Sequence, residues 1–230
     1  VQLIGKVDRV DLYIRFDGAA FVRVVDYKTG TKTFDLGEIP AGLNTQMLLY
    51  LYVLCDNSRR YLEENGELRP AGVLYHPLSD LLTGKDGTVT DRLKSMKMSG
   101  LVLDDAAVIQ AMEQQGQGVF IPASLDKSGQ PKGSVITARQ FALLRGVLER
   151  LVTRMAEELL AGNIQALPLL FHDSDAPGAC AYCDYRAVCG REDEGACRSF
   201  VKQKADTVLQ EMEETADGAE TMDAPAAAEH

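Results

Sequence analysis

A chain of 230 residues, 46% of them apolar, is long enough to bury one sizeable core, and length alone leaves one domain or two open. The formal charge of -10 argues against a nucleic-acid partner until its distribution is read: residues 205–230 carry -8 with no Lys or Arg, and the remainder carries only -2. No transmembrane run and no secretory signal stands in the sequence, which reads as a cytoplasmic enzyme with no membrane partner.

Residues 6–16 alternate with the period of a half-buried strand. Lys6, Asp8, Val10, Leu12, Ile14 and Phe16 share one face; Arg9, Asp11, Tyr13 and Arg15 share the other. Asp17-Gly18 is a hairpin signal, and residues 21–28 put Val22, Val24, Asp26 and Lys28 on one face of a second strand. If both apolar faces meet the same core, Phe16 pairs with Ala20, because a slip of one residue turns one strand's apolar set to solvent. That register places Asp8 directly across from Lys28 and diagonal to Asp26, at the sheet end away from the turn. Asp11 falls on the opposite face, with a surface role.

Two acids and a lysine at one strand end are the parts of a metal-dependent phosphodiester hydrolase. Carboxylates held close together repel, and one must protonate unless a cation intervenes. Mg²⁺ or Mn²⁺, hard ions that favour oxygen, suit Asp8, Asp26 and the backbone carbonyl of Tyr27. Lys28 would then orient or deprotonate the attacking water and offset charge building on the phosphate. The plainer alternative is an Asp26–Lys28 ion pair leading into a Thr29-Gly30 turn, of a kind that is common and worth little.

Residues 43–55 are apolar nearly all round, as in a helix buried against a sheet. Gln46 and Tyr50 are four apart and share a face, from which an amide and a phenol reach water or a scissile phosphate; a satisfied core pair is the ordinary alternative. Cys55 reads as a packing residue. Residues 70–78 read as a further core strand ended by Pro77, with His76 packed or solvated rather than a ligand. Residues 79–136 are rich in glycine and read as an insertion into the core, with a turn at 97–100, a short helical pattern over 104–114 and a hairpin tipped by Asp126-Lys127-Ser128-Gly129. Thr137 caps a helix striped by Phe141, Leu144, Leu148, Leu151, Met155 and Leu159, which Gly162-Asn163 ends. Residues 205–230 are expected to be an acidic tail, disordered from about Asp217 onward. No internal repeat and no Gly-x-x-x-x-Gly-Lys-Ser/Thr loop appears, so any ATP-driven motor lies outside these residues.

Four of the five cysteines, Cys180, Cys183, Cys189 and Cys197, fall within eighteen residues of little apolar content. Such clustering points to a metal staple, since free structural cysteines scatter through cores. Disulfides suit a cytoplasmic chain less well. Zinc on four thiolates is chemically open, although the spacing is not that of paired zinc knuckles.

Gly5-x-x-Asp8, Asp26-x-Lys28 and Gln46-x-x-x-Tyr50 together resemble the RecB-family branch of the PD-(D/E)XK nucleases. The wider stretches Gly-Lys-Val-Asp-Arg-Val-Asp and Val-Val-Asp-Tyr-Lys-Thr-Gly resemble the AddB subunits of bacterial AddAB helicase-nucleases, with the likeness carried by residues 3–55 and 178–191. The resemblance implies an α/β, restriction-endonuclease-like core with a mixed sheet flanked by helices, in a nuclease domain over residues 1–200 with a cysteine segment at 177–197. It implies that Asp8, Asp26, Lys28, Gln46 and Tyr50 bind Mg²⁺ and run hydrolysis. It also implies that Cys180, Cys183 and Cys189 join one upstream cysteine around a 4Fe-4S cluster that pins the end of the domain; by spacing alone, Cys197 is an alternative fourth ligand. The implied activity is DNA exonuclease action beside an AddA-like helicase-nuclease subunit, in double-strand break processing and recombinational repair. The family's upstream helix, which brings a further acidic or histidine ligand, would precede Val1. The chain therefore reads as a piece of a larger protein, expected to bind Mg²⁺ weakly and to cleave DNA poorly by itself. Two alternatives stay open: a CRISPR-associated iron-sulphur exonuclease, against which the long middle insertion and the Asp-Arg-Val-Asp start count, and a catalytically silent DNA-binding or scaffold module.

Overall fold

A computed structural model describes residues 2–29, 33–62, 66–78, 93–171, 179–189 and 197–222. The strands described before residue 137 are β1 (Arg9–Ile14), β2 (Ala20–Lys28), β3 (Leu68–Pro77), β4 (Ser99–Leu103), β5 (Ala123–Leu125), β6 (Pro131–Gly133) and β7 (Val135–Ile136). Five of them form a mixed sheet in the order β1-β2-β3-β4-β7, with β2 parallel to β3, β4 parallel to β7 and the other two pairings antiparallel. Strands β2 and β3 are apolar on both faces because both faces are covered. Val22 and Val24 face α1 (Gln46–Asp56), which buries Met47, Leu48, Leu51 and Leu54 against the sheet. On the other side Val25, Leu74 and Val102 meet Ile109 of α2 (Ala106–Met112) together with Ile121 and Ala123. Asp105 caps α2 by accepting from the Ala107 and Val108 amides.

Helix α3 (Ala138–Leu160) opens on a reciprocal capping box. Thr137 Oγ1 accepts from the Gln140 amide at 3.1 Å, and Gln140 Oε1 accepts from the Thr137 amide at 2.8 Å. Its expected stripe is buried only over its first half: Phe141, Leu144 and Leu148 enter the core, whereas Met155 and Leu159 are exposed. The Tyr52 hydroxyl donates to the Phe141 carbonyl at 2.7 Å and ties α1 to α3. Gly162, at φ 76°, closes the helix end as expected.

The hairpin register differs from the expected one by two residues. It runs from Arg9↔Val25 to Ile14↔Ala20, not through Phe16–Ala20. Gly18 takes the left-handed conformation at φ 85° and donates to the Arg15 carbonyl at 2.9 Å, while the Arg15 amide donates to the Ala19 carbonyl at 2.8 Å. The loop is therefore Phe16-Asp17-Gly18, a three-residue turn closed by a left-handed glycine, and Phe16 is fully exposed. A shift of two keeps every side chain on its own face, so Asp11 still lies away from Asp26. It moves Asp8 from opposite Lys28 to opposite Asp26. Leu12 and Ile14, read as core-facing, are exposed, because β1 is an edge strand and α1 packs on β2 and β3.

Ser99 and Gly100 open β4 instead of forming a turn, paired with Tyr75 and Leu74. A Cβ on Gly100 would collide with the Val73 carbonyl oxygen, so the glycine serves close strand approach. The stretch read as an insertion thus supplies two strands of the central sheet, β4 and β7, with α2 and the β5–β6 hairpin beside it. The tip of that hairpin is as expected, with Asp126 Oδ1 accepting from the Ser128 and Gln130 amides at 2.8 and 2.9 Å. Residues 79–92, the Gly30 half of the expected Thr29-Gly30 turn, residues 177–178 and 190–196 of the cysteine segment, and 223–230 of the tail lie outside the described residues.

Beyond α3, β8 (Leu169–Phe171) and β9 (Arg198–Phe200) form a separate parallel pair, with the short α4 (Arg186–Cys189) between them in sequence. The acidic tail expected from residue 205 begins as a helix, α5 (Ala205–Met222). Val208 is buried, and Leu209 and Met212 pack against the main core. These three stand at i, i+1 and i+4, a helical stripe that the acid count conceals. Lys202 Nζ, 2.5 Å from Asp35 Oδ2, anchors the approach to α5 on the 3-10 turn Leu36–Ala41.

Candidate active site

The C-terminal end of β2 carries Asp26 and Lys28 on one face. Asp26 is 9% exposed, a depth at which an ionised carboxylate needs a partner. Its Oδ2 lies 2.5 Å from Lys28 Nζ, yet that oxygen has no well-directed hydrogen bond among the described residues and keeps coordinating capacity. Asp8 stands just before β1, where one further step of the Arg9↔Val25 register sets it across from Asp26. Asp8 Oδ2 accepts from the Tyr27 amide at 3.2 Å, fastening the entry of β1 to the exit of β2.

Helix α1 brings the amide and the phenol to the same place. Gln46 Nε2 donates to the Tyr50 hydroxyl at 2.9 Å, and Gly5 lies so closely against the Tyr50 ring that a Cβ there would collide with it. The Gly5–Asp8 segment therefore bridges α1 and β2, and the three motifs read separately in the sequence meet at one end of the sheet.

The register also brings in residues that the motif reading passed over. Tyr75 is the β3 partner of Asp26, its ring lies 5.2 Å from Lys28 Nζ, and Phe34 tilts against it with ring centroids 6.2 Å apart. The Phe34 amide in turn donates to Ser99 Oγ at 3.2 Å. Burial, then the nearby Asp26 and Glu38 carboxylates, push the Tyr75 phenol up to about 12, so it stays neutral at working pH. The available signal was pairing, not spacing: Tyr75 follows once β2 and β3 are set parallel.

Asp11 does not join this cluster. It accepts from Arg9 at 2.8 Å and Arg23 at 2.7 Å on the other face. Partial burial raises its affinity for a proton, but the two guanidinium bonds outweigh that and hold the carboxyl below its ordinary range. His76 packs on Tyr27 with its Nδ1 3.0 Å from the Pro77 carbonyl oxygen, a structural position. Cys55 packs against the core as expected, and burial pushes its thiol up to about 12.

Among the described residues no three His, Cys, Asp or Glu side chains are gathered to hold a metal. The hard oxygen donors here are the two carboxylates Asp8 and Asp26 and the Tyr27 carbonyl, and the incompletely bonded Asp26 oxygen is of the kind a hard cation would take. Cys180 lies on the 3-10 turn Ala179–Tyr182, Cys183 just after it and Cys189 at the end of α4; all three are free, and Cys183 and Cys189 are exposed. Their donor chemistry suits a cluster, but the described structure does not assemble them into one. No helix among the described residues is long and apolar enough to cross a membrane.

A five-stranded mixed sheet with an acidic pair and a lysine at the end of its second strand defines a class of nuclease. The chain belongs to the PD-(D/E)XK nuclease superfamily, which it matches over residues 1–190. It is similar to the B subunit of the ATP-dependent helicase/deoxyribonuclease of Thermoanaerobacter sp. (strain X514), 33% identical over 226 residues, covering 92% of this chain and 19% of that protein. The protein of the same name from Clostridium acetobutylicum is 34% identical over 217 residues, covering 90% and 18%. That from Clostridium tetani is 35% identical over 218 residues, again covering 90% and 18%. The chain thus spans less than a fifth of the length of these curated relatives.

Proposed function

We propose that this chain is the metal-dependent DNA exonuclease domain of an ATP-dependent helicase-nuclease subunit of the AddB type, working with an AddA-like partner on DNA ends in double-strand break processing and recombinational repair. The reading is supported by three contacts: Asp8 on the Tyr27 amide, Lys28 beside Asp26, and Gly5, three residues before Asp8, against the ring of Tyr50, which Gln46 bonds.

Asp8, Asp26 and the Tyr27 carbonyl would hold Mg²⁺ or Mn²⁺, which when bound supplies Lewis acidity toward a phosphate oxygen. Lys28 holds the attacking water beside Asp26 and offsets negative charge as the water oxygen bonds to phosphorus and the ester P–O bond breaks. Gln46 and Tyr50, fixed to each other at 2.9 Å, orient the water or the scissile phosphate. Gly5 supports them by letting the chain lie on the Tyr50 ring.

Replacing Asp26 by Ala in the intact protein tests the reading. Mg²⁺-dependent cleavage of linear DNA is expected to be abolished with DNA binding retained; unimpaired cleavage would leave a silent DNA-binding or scaffold module in its place.

The cysteine segment belongs to the same proposal through the family resemblance. Cys180, Cys183 and Cys189, with a fourth thiolate from outside the described residues or from Cys197, would hold a 4Fe-4S cluster that pins the end of the domain. No catalytic step passes through it. Iron and sulphide analysis of Cys183→Ala in the intact protein is expected to show loss of the cluster, and a wild type free of iron would remove this part of the proposal.

A further inference from the structure

We propose that Tyr75 is the positioning residue for Lys28, its ring holding the ammonium beside Asp26. The inference rests on the reading of Lys28 as a member of the hydrolytic site and goes beyond it, since Tyr75 belongs to none of the sequence motifs.

Three observations carry it. Tyr75 is 3% exposed and sits on β3 directly beside Asp26 in the parallel pairing, so its backbone cannot move independently of the site. Its ring lies 5.2 Å from Lys28 Nζ, within the range at which the negative face of an aromatic ring attracts an ammonium. The ring is itself held: Phe34 packs on it, and the Phe34 amide is bonded to Ser99, the residue that pairs with Tyr75 on β4.

Lysine has a long flexible stem and loses much rotamer freedom when its ammonium is fixed. Asp26 alone is a poor anchor, because a carboxylate that shares its charge with a divalent ion attracts the lysine less. The ring suffers no such competition. It is buried, and it leaves the ammonium's N–H groups free for water and phosphate oxygen. Tyr75 thus fixes Lys28 both when Asp26 is a free carboxylate and when it is a ligand.

The test uses the intact protein, Mg²⁺ and a linear duplex. Tyr75→Phe, which keeps the ring, is expected to cleave within about twofold of wild type, and Tyr75→Leu to lose roughly threefold to thirtyfold in kcat with KM unchanged. Because Tyr75→Leu also alters packing, a shape-conserving series decides the matter. Phenylalanine carrying one, two and three fluorines at position 75 weakens the ring's negative face without reshaping the core. The expected result is a stepwise fall in kcat at constant melting temperature. A trifluorinated ring with wild-type kcat, in a preparation where Asp26→Ala is inactive, would overturn the role of Tyr75 and leave the site standing. An Asp26→Ala variant that cleaves like wild type would overturn the site, and the role of Tyr75 with it.

Discussion

The hairpin-and-helix region around Asp26 and the segment from Cys180 to Cys189 both carry chemistry-bearing residues, but they are held in opposite ways. Asp8, Asp26, Lys28, Gln46 and Tyr50 hang from elements rooted in a core where Val22, Val24, Leu48 and Leu51 are 0% exposed. The cysteines stand on single turns whose large neighbours Tyr182, Tyr185 and Val188 are 77%, 74% and 79% exposed. Apolar burial fixes the first group before any ligand arrives, and pre-organisation of that kind is what hydrolysis requires. Among the described residues the second group has no such scaffold, so a cluster there would have to supply local folding energy of its own.

The largest expected effect separates the two faces of the hairpin. On the proposed reading Lys28→Ala removes a charge that offsets the reacting phosphate, and it is expected to lower kcat by about 10²-fold to 10³-fold with KM little changed. Asp11→Ala touches only the Arg9 and Arg23 pairing on the far face and is expected to cost less than about threefold in the same assay. Equal damage from the two would mean that the faces have been assigned the wrong way round.

The same contrast explains what is legible in the sequence. Alternation tells which of Asp8, Asp11 and Asp26 share a face, because parity survives a register error of two. It does not set the pairing itself, since that depends on whether Gly18 closes the loop or lies in its middle, a choice made by one backbone angle. Gly100 misleads for a related reason: glycine marks both turns and close strand approach, and only the nearness of Val73 tells them apart. Tyr75 is invisible to motif spacing because its relation to Asp26 exists only after β2 and β3 pair across the long stretch of chain that separates them. In α5 acids crowd the apolar residues, so composition speaks for solvent while Val208, Leu209 and Met212 dock the helix.

That docking gives the next effect in size. Val208 is 3% exposed against the main core, and Val208→Ala is expected to cost about 2 kcal/mol in urea unfolding. Cleavage under native conditions should stay near wild type, because α5 contributes to the fold and not to the site. A variant as stable as the wild type would mean that α5 is not docked on the core, and would return the acidic stretch to the tail that its composition describes.

The smallest effect is a pH dependence, and it tests the far face of the hairpin without touching the site. The Asp11 carboxyl is held below its ordinary range because bonds from Arg9 and Arg23 outweigh its partial burial. A depressed folded-state pKa stabilises the protein above the unfolded value, near 3.9 for Asp, and that contribution is lost as pH falls through the lower folded value. Asp11→Asn keeps the shape and removes the charge. Wild type is expected to exceed it by less than about 1 kcal/mol at pH 7, since the pair is partly exposed and screened by solvent. The gap should close as pH falls below about 4 and should narrow in high salt. A gap that widened on acidification would mean that burial, not the two guanidinium groups, governs Asp11, and that the hairpin's outer face is held by packing instead of charge.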